Sequence, residues 1–319
     1  MNVSIVIAAY NEGRDLLTTV AHAYSSNPEP YEIIVVDDCS DEPIADRLGS
    51  FPGVNVVRTP ERLGAGPAKR FGVTRSSGDL VIVLDAHMRM PQGWLGPIKL
   101  AAENHPYSIF CCACSGFELH NQRQLLGGAS FARRGDSFAI GISWLPRGPI
   151  TQVEIIPCVL GACYIIPRPI WRELGGWNPN LYGWGFEEQD LSLRSWLSGF
   201  QVRRINEVIV GHRFDRDMRG YFMNSWEASF NQLVMTYSLF EDGVFEKIYH
   251  PFLKQLSPLK ALERFEKEFE DIKTFRAKIQ SNRRYGDDEL ESLCGFRLPT
   301  LKEQREDVQR IFDLRASKK

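Results

Sequence analysis

The sequence has no long apolar run, little net charge and no basic leader. Its first residues, MNVSIVIAAYNE, reach Asn-Glu after an apolar stretch that is too short for a signal peptide or a membrane span. The formal net charge is -2, so no overall field favours nucleic acid or an anionic membrane. The sequence therefore predicts a cytoplasmic protein without a transmembrane segment, and peripheral attachment to a membrane stays open.

Paired cysteine motifs are also missing. The seven cysteines are an odd number, and the cluster of Cys111, Cys112 and Cys114 has no CxxC spacing. Neither a disulfide framework nor a zinc site is indicated. We expect buried or inert thiols, because a free cysteine mostly behaves as a small hydrophobic residue.

The first hundred residues alternate short β-branched runs with helical stretches, which is typical of a parallel sheet covered by helices. The pattern predicts strands at residues 3–8, 32–36, 54–58 and 80–84, and helices at 12–24 and 66–74. Residues 110–160 predict a mixed sheet with long loops. A strand at 162–166 and helices at 169–174 and 187–197 follow. Polar residues end three of the early strands, where open α/β sheets place their ligand sites.

The composition becomes charged and helical after about residue 220. We therefore predict three parts: 1–110 and 111–220 as the two halves of a catalytic domain, and 221–319 as a helical C-terminal extension. Apolar residues in the tail follow a 3-3-4 spacing that forms one helical stripe. The stripe predicts a helix that packs on the catalytic domain, with homodimerisation as the alternative. Its members are Leu259, Leu262, Phe265, Phe269, Ile272, Phe275 and Ile279.

The segment GDLVIVLDAH ends a hydrophobic strand with Asp85 and His87. In a strand, side chains two positions apart point to the same side. A carboxylate and an imidazole that converge in this way can share a divalent cation, and this ligand pair suits Mn²⁺ better than Ca²⁺. Taken alone, the triplet fits equally a turn with polar surface residues.

The order of the motifs adds information that the triplet lacks. SIVIAAYNE, YEIIVVDDCSD, RLGAGPAKRFG and LDAH succeed one another, and together they resemble the family 2 glycosyltransferases over about residues 3–215. The resemblance implies a GT-A fold, which is an α/β fold with a Rossmann-like, mostly parallel central sheet flanked by helices. The DxH in place of DxD, and the later segment Val210-Gly211-His212, resemble the polypeptide N-acetylgalactosaminyltransferases.

This resemblance implies a set of donor ligands. Asp85, His87 and His212 would hold Mn²⁺ or Mg²⁺ against a nucleotide sugar, by resemblance a UDP-sugar. The other expected donor-binding residues are Ala8, Tyr10, Glu12, Asp37, Asp38 and Lys69. Asp37 and Asp38 also fit a simple Asx turn, and Lys69 or Arg70 fits equally a solvated helix face. Further candidates for diphosphate contact are Arg133, Arg134, Arg147, Arg213 and Arg216.

The segment LGGWNPNLYGWGFEEQDLSLRSW resembles the acceptor half of both families. Inverting family 2 enzymes place a general base at the start of the helix, and the retaining N-acetylgalactosaminyltransferases place an amide there. Glu188 occupies this position, with Asp190 as a competing candidate for the base. Glu187 is expected to bind sugar hydroxyls, and Trp184 to stack on a sugar or acceptor. Arg194 is expected to pair with Asp190 four residues before it.

The sequence therefore predicts a metal-dependent transfer of sugar to a hydroxyl acceptor with inversion. The acceptor is open: a glycan, a lipid-linked saccharide, a protein or a modified base. A retaining enzyme like the N-acetylgalactosaminyltransferases is the main alternative. A nucleotidyltransferase would need a glycine-rich basic loop where this chain has Tyr10-Asn11-Glu12, and a non-catalytic sugar-binding scaffold would have no need of the complete set of acids and histidines.

Overall fold

The computed structural model describes residues 1–28, 31–116, 125–132, 140–214 and 225–317. Strands β1 to β11 are Val3–Ala9, Glu32–Asp37, Val54–Arg58, Leu80–Asp85, Met88–Arg89, Ser108–Gly116, Leu125–Ala132, Gly141–Pro146, Val153–Ile155, Cys163–Pro167 and Gln201–His212. Helices α1 to α12 are Arg14–Ser25, Ala65–Val73, Leu95–Asn104, Arg168–Leu174, Glu187–Leu197, Ser225–Leu239, Asp242–Val244, His250–Leu256, Leu259–Lys267, Phe269–Asn282, Leu290–Cys294 and Leu301–Ala316. Short 3-10 segments lie at Ala45–Leu48 and Asp287–Glu289, and a π-helical turn at Phe245–Tyr249.

The described strands form one sheet whose main path runs β3-β2-β1-β4-β10-β6-β11-β5. The first four of these strands are parallel, as the sequence predicts. β10 is antiparallel to both β4 and β6, and β7 pairs antiparallel with β6 and β8. The whole sheet is therefore mixed rather than mostly parallel.

Helix α2 packs very closely on strands β1 and β2. A Cβ atom at Gly72 would lie 2.4 Å from a methyl group of Val6 and 2.6 Å from one of Val36, so a glycine is required for this approach. Lys69 precedes Gly72 by three positions and shares its helix face. The close packing of α2 therefore directs the side chain of Lys69 toward the sheet, where it is buried.

The predicted elements lie where expected, apart from their ends. The helix expected at 12–24 is Arg14–Ser25, the strand expected at 162–166 is Cys163–Pro167, and the helix at Glu187–Leu197 has the predicted bounds. Residues 117–124 and 133–139, within the stretch expected to contain long loops, lie outside the described part of the chain.

The C-terminal helices pack on one another and on the preceding part of the chain, chiefly through α6, which contacts α5, α9 and α10. The predicted apolar stripe is split at Glu268 into α9 and α10. Its second half is buried at Ile272, Phe275 and Ile279, whereas Leu259 is 69% exposed. Most of the stripe therefore packs within the chain.

The seven cysteines are all free thiols, and six of them are buried. Burial raises the pKa of Cys111 to about 12, so its thiol stays protonated at neutral pH. Among the described helices, none has both the length and the apolar character that a membrane crossing requires.

Candidate active site

A pocket with an open volume of about 1070 Å³ lies at the carboxyl ends of β1, β2 and β4. This is the edge at which an open α/β sheet binds its ligands. Loops after β2 and before α5 close its sides, and α6 adds one residue. Its lining residues are Ala8, Ala9, Tyr10, Glu12, Asp38, Arg62, Leu63, Gly64, Ala65, Ala68, Lys69, Asp85, Ala86, His87, Tyr182, Gly183, Trp184 and Glu227.

Asp85, His87 and His212 converge at one corner of this pocket. One potential ligand atom from each of them lies within 4.8 Å of the other two. Asp85 ends β4, and His212 ends β11, where it pairs with Met88 in the short antiparallel contact between β11 and β5. That pairing brings together residues more than 120 positions apart in sequence. The centres of the imidazole rings of His87 and His212 are 4.8 Å apart.

The three side chains suit a divalent transition-metal cation. One carboxylate and two imidazoles supply three ligands, and this mixture suits Mn²⁺ better than Ca²⁺, which prefers oxygen. Nδ1 of His87 is 3.0 Å from a carboxylate oxygen of Glu12, which leaves Nε2 as the nitrogen for a metal. A carboxylate behind a histidine ligand fixes the orientation and tautomer of the ring. Glu12 thus lines the pocket as predicted, with its carboxylate directed at His87.

Lys69 faces the same carboxylate from the other side. Its Nζ atom is 2.9 Å from Oδ1 of Asp85, whereas Nε2 of His212 is 3.5 Å from Oδ2. The Lys69 ammonium also lies 4.9 Å from the ring centre of Tyr164. Burial opposes ionisation of Asp85, but the charge of Lys69 together with the contacts of His212 and His87 outweighs it and holds the pKa of Asp85 far below its usual range. Asp85 is therefore an anion at any pH of interest.

Ala8, Tyr10 and Asp38, which the resemblance assigns to the nucleoside, all line the pocket. The guanidinium of Arg62 lies 4.1 Å from the ring centre of Tyr10. Asp38 accepts hydrogen bonds from the backbone amides of Leu63 at 2.8 Å and Gly64 at 2.9 Å. Its carboxylate therefore shapes the loop that leads into α2.

Asp37 does not line the pocket. It is buried and accepts hydrogen bonds from the amide of Ser40 at 2.8 Å and from the guanidinium of Arg58 at 2.5 Å. Consecutive residues at the end of a strand point to opposite faces, so Asp37 and Asp38 cannot share a role. The position of Asp37 matches the Asx-turn alternative.

Two glycines join the halves of the pocket. Gly64 has φ of 90°, and an added Cβ atom there would lie 2.5–2.8 Å from the backbone of Gly183. The amide of Ala65 donates a hydrogen bond of 2.7 Å to the carbonyl of Gly183. No side chain fits between these two backbones, so the loop that contains Gly64 and the loop that contains Gly183 are in direct contact.

The acids at the start of α5 lie close to Lys69, deeper than the open part of the pocket. Glu187 is buried and accepts a hydrogen bond of 2.8 Å from the amide of Gly185. Glu188 is half-buried beside Gly161, where an added Cβ would collide with its carboxylate. Burial, followed by the charge of Glu188, raises the pKa of Glu187 to about 7. Burial also raises the pKa of Glu188, although the charge of Lys69 opposes the rise.

Asp190, the competing candidate for the base, is completely buried away from the pocket. Its carboxylate accepts a hydrogen bond of 2.8 Å from Nε of Arg194 and one of 3.3 Å from Asn178. Both members of the ion pair have 0% side-chain exposure. The pairing with Arg194 predicted from sequence is confirmed, and it leaves Asp190 a structural role rather than contact with an acceptor.

The arginines named as candidates for diphosphate contact have other positions. Arg147 donates to the carbonyl of Asn206, and Arg213 pairs with Asp15 at 2.7 Å. Arg70 donates to the carbonyl of Trp177 at 3.0 Å. Arg133, Arg134 and Arg216 lie outside the described residues.

The pocket residues that sequence reasoning did not name as site residues include Arg62, Gly64, Tyr182 and Glu227. Arg62 and Gly64 are part of the motif RLGAGPAKRFG. They could have been predicted as pocket residues if the whole loop before α2 had been expected to face the ligand. Glu227 lies on α6, in the part assigned to the C-terminal extension. Trp184 does line the pocket, as predicted.

Two family models match this chain. Residues 4–150 match the family model described as Glycosyl transferase family 2, and residues 156–216 match the one described as N-terminal domain of galactosyltransferase. The first match contains Asp85 and His87. The second contains Glu187, Glu188 and His212.

Similar curated proteins are polypeptide N-acetylgalactosaminyltransferases. Enzyme 10 of Mus musculus is 28% identical over 225 residues, which are 66% of this chain and 37% of that protein. Putative enzyme 13 of Drosophila melanogaster is 31% identical over 238 residues, which are 67% of this chain and 42% of that protein. The chain thus spans less than half the length of these relatives.

Solved structures of glycosyltransferases share the fold. The crystal structure of GalNAc-T7 with UDP, GalNAc and Mn²⁺ has a TM-score of 0.69 at 21% identity and covers 93% of this chain and 59% of that one. S. aureus TarS 1-349 in complex with UDP-GlcNAc has a TM-score of 0.57 at 14% identity, covering 99% and 91%. The chain therefore has the GT-A fold of these structures, and its residues 4–150 match the Glycosyl transferase family 2 model.

Proposed function

We propose that this protein transfers a sugar from a UDP-sugar to a hydroxyl acceptor, with a divalent cation held by Asp85, His87 and His212. The observation that carries the proposal is the convergence of these three side chains, with ligand atoms within 4.8 Å of one another, at the edge of the pocket. Of the two similar structures, GalNAc-T7 is in complex with UDP, GalNAc and Mn²⁺, and TarS 1-349 is in complex with UDP-GlcNAc. They support a uridine nucleotide as donor and Mn²⁺, or Mg²⁺ in its place, as cofactor.

The residues of the pocket divide between the parts of such a donor. Tyr10 and Ala8 flank the space for the nucleoside, and Asp38 orders the neighbouring loop. Lys69 and the three proposed metal ligands lie where negative charge would develop on the departing diphosphate. A bound divalent cation would neutralise that charge. The Lys69 ammonium adds a fixed positive charge that needs no rearrangement during the reaction.

Glu188 is our proposed general base. It would accept the proton of the acceptor hydroxyl while the hydroxyl oxygen bonds to the anomeric carbon, the bond from that carbon to the diphosphate breaks, and UDP leaves. This single displacement inverts the anomeric centre. The position of Glu188 beside Lys69 supports the role, because the ammonium favours the ionised carboxylate against the opposing effect of burial.

The retaining alternative is favoured by a different observation. The similar curated proteins are polypeptide N-acetylgalactosaminyltransferases at 28% and 31% identity, and the DxH motif of this chain resembles theirs. In that case Glu188 would contact substrate without acting as a base, and the product would keep the donor configuration. The names of those relatives also support a polypeptide as one acceptor class, beside a glycan, a lipid-linked saccharide or a modified base.

The proposal is tested with purified protein, a panel of nucleotide sugars and Mn²⁺. We expect metal-dependent release of UDP from at least one UDP-sugar, abolished by EDTA and restored by added Mn²⁺. If no nucleotide sugar binds or hydrolyses in a metal-dependent way, the protein is a non-catalytic scaffold and the proposal is wrong. Proton NMR of the released or transferred sugar then separates inversion from retention.

A further inference from the structure

Asn231, on α6, has a buried side-chain amide whose hydrogen bonds all go to residues 182–185, in the loop before α5. It is 1% exposed. Its Oδ1 accepts a hydrogen bond of 2.7 Å from the amide of Tyr182. Its Nδ2 donates to the carbonyl of Tyr182 at 2.8 Å and to the carbonyl of Gly185 at 3.1 Å. One side chain therefore holds both ends of the four-residue segment 182–185.

The chemistry of this contact requires an amide. The side chain accepts one hydrogen bond and donates two, and an asparagine amide offers both kinds of group in a compact plane. A carboxylate of the same shape would still accept from the amide of Tyr182, but in place of Nδ2 it would set an oxygen against two carbonyl oxygens. The neighbouring Gln232 offers a contrast, because it is fully buried on the same helix and neither atom of its amide has a hydrogen-bond partner.

The segment that Asn231 holds is part of the pocket. Tyr182, Gly183 and Trp184 line it. The carbonyl of Gly183 accepts the hydrogen bond from Ala65 that joins the two halves of the site. The amide of Gly185 donates to the carboxylate of Glu187, at the start of the helix that carries Glu188.

We propose that Asn231 is a positioning residue for the transfer reaction. It acts through segment 182–185, which fixes Trp184 at the pocket and sets where α5 begins. The inference rests on the proposed function, but it concerns a residue of α6 beyond the two family matches, which end at residue 216. Without the amide, two carbonyls and one N–H of the segment lose their buried partner. The segment then shifts relative to the donor, while the nucleoside side, at Tyr10 and Asp38, stays in place.

The test compares Asn231→Asp and Asn231→Leu with the matched control Gln232→Met. Turnover is measured as Mn²⁺-dependent hydrolysis of UDP-GalNAc and UDP-GlcNAc, and nucleotide binding as the Kd of UDP with Mn²⁺. We expect both Asn231 variants to lose about 100-fold in kcat, the scale of a misplaced reactive geometry. The Kd of UDP should change by less than about three-fold, a small share of the affinity scale. Gln232→Met should match the wild type in both measurements.

Hydrogen exchange gives a second readout that needs no activity. The amide of Tyr182 should exchange at least about ten-fold faster in Asn231→Leu than in the wild type or the control, because leucine offers no acceptor in place of Oδ1. If one variant fails to fold, the other decides. A kcat within two-fold of the control, or a UDP affinity that falls in step with kcat, overturns the inference. A wild type that neither binds UDP nor hydrolyses a UDP-sugar contradicts the proposed function instead. The exchange result then still tests the contact between Asn231 and segment 182–185.

Discussion

Nζ of Lys69 lies 2.9 Å from Oδ1 of Asp85, so a buried ammonium contacts a carboxylate that we propose as a metal ligand. The same ammonium attracts the charges of Glu187 and Glu188 at the start of α5. Burial would lower the pKa of Lys69, but Asp85 and the two glutamates together outweigh burial and raise this pKa. Lys69 is therefore a permanent cation between the donor side and the acceptor side of the site.

Removal of this cation should nearly abolish sugar transfer. We expect Lys69→Met to reduce kcat for UDP-sugar turnover by about 100-fold or more, the scale of losing one preorganised electrostatic group in an active site. It should also move the acid limb of the pH–rate profile upward, because Lys69 opposes the raised pKa of Glu188. Steady-state kinetics over a pH series measures both effects. The exposed Lys254→Met is the control, and an unshifted limb would contradict the proximity of Lys69 to the base.

Replacement of the proposed base separates the two stereochemical alternatives. If Glu188 removes the acceptor proton, Glu188→Gln should lower the transfer rate by about 100- to 10,000-fold, the usual contribution of a general base. The Kd of UDP should stay close to the wild-type value, since Glu188 does not line the donor pocket. Rapid activity in Glu188→Gln, with a product of retained configuration by NMR, would assign the enzyme to the retaining alternative.

The contact between Gly64 and Gly183 predicts a costly substitution. Gly64→Ala forces a Cβ atom against the backbone of Gly183, and it also strains the positive φ. Gly53 is the matched control, because its φ is 85° and an added Cβ would meet nothing within 4 Å. We expect Gly64→Ala to lower the free energy of unfolding by about 2 kcal/mol more than Gly53→Ala, the typical penalty of overpacking. Equal losses, measured by urea denaturation, would mean that the two loops do not touch.

Glu187 predicts a pH dependence of stability. Its pKa is raised in the folded state to about 7 from an ordinary value near 4.5. A raised carboxyl pKa means that the native state binds the proton more tightly than the unfolded state, so this group destabilises the fold progressively as pH rises from 4.5 to 7. Glu187→Gln removes that loss.

We therefore expect Glu187→Gln to gain stability relative to the wild type across this pH window, on the order of 1–3 kcal/mol by pH 7.5. The measurement is the difference in free energy of unfolding between the two proteins at several pH values. Glu61→Gln, at an exposed position, is the control. A difference that is constant with pH would show that Glu187 is not held near Lys69 and Glu188 as described.

The sequence predicted most of the donor half because that half is built from local signals. β1 and β4 are short runs of β-branched and aliphatic residues, and each ends in the polar residues that carry the chemistry. The order of these motifs also carried the resemblance that placed Asp85, His87 and His212 together, and the structure brings the three into one cluster.

The rest of the site depends on contacts that no local pattern encodes. The burial of Asp37 and Asp190 follows from the faces on which their elements pack, so neither motif could reveal it. Asn231 and Glu227 lie on a helix of buried polar residues whose amphipathic pattern is weak, and their link to segment 182–185 is a tertiary contact. The composition assigned α6 to a C-terminal extension, whereas this helix contributes Glu227 to the lining of the pocket.

The central claim is that Asp85, His87 and His212 form a metal site that serves a nucleotide diphosphate. Its most direct test is calorimetric titration of UDP into the wild type, His87→Ala and His212→Ala, with and without Mn²⁺. His105→Ala, near the opposite end of β6 from the site, is the control. We expect Mn²⁺ to tighten UDP binding in the wild type and the control, and each site variant to lose at least about ten-fold of that gain. UDP binding that is equally tight without Mn²⁺, or unchanged in both histidine variants, would contradict the claim.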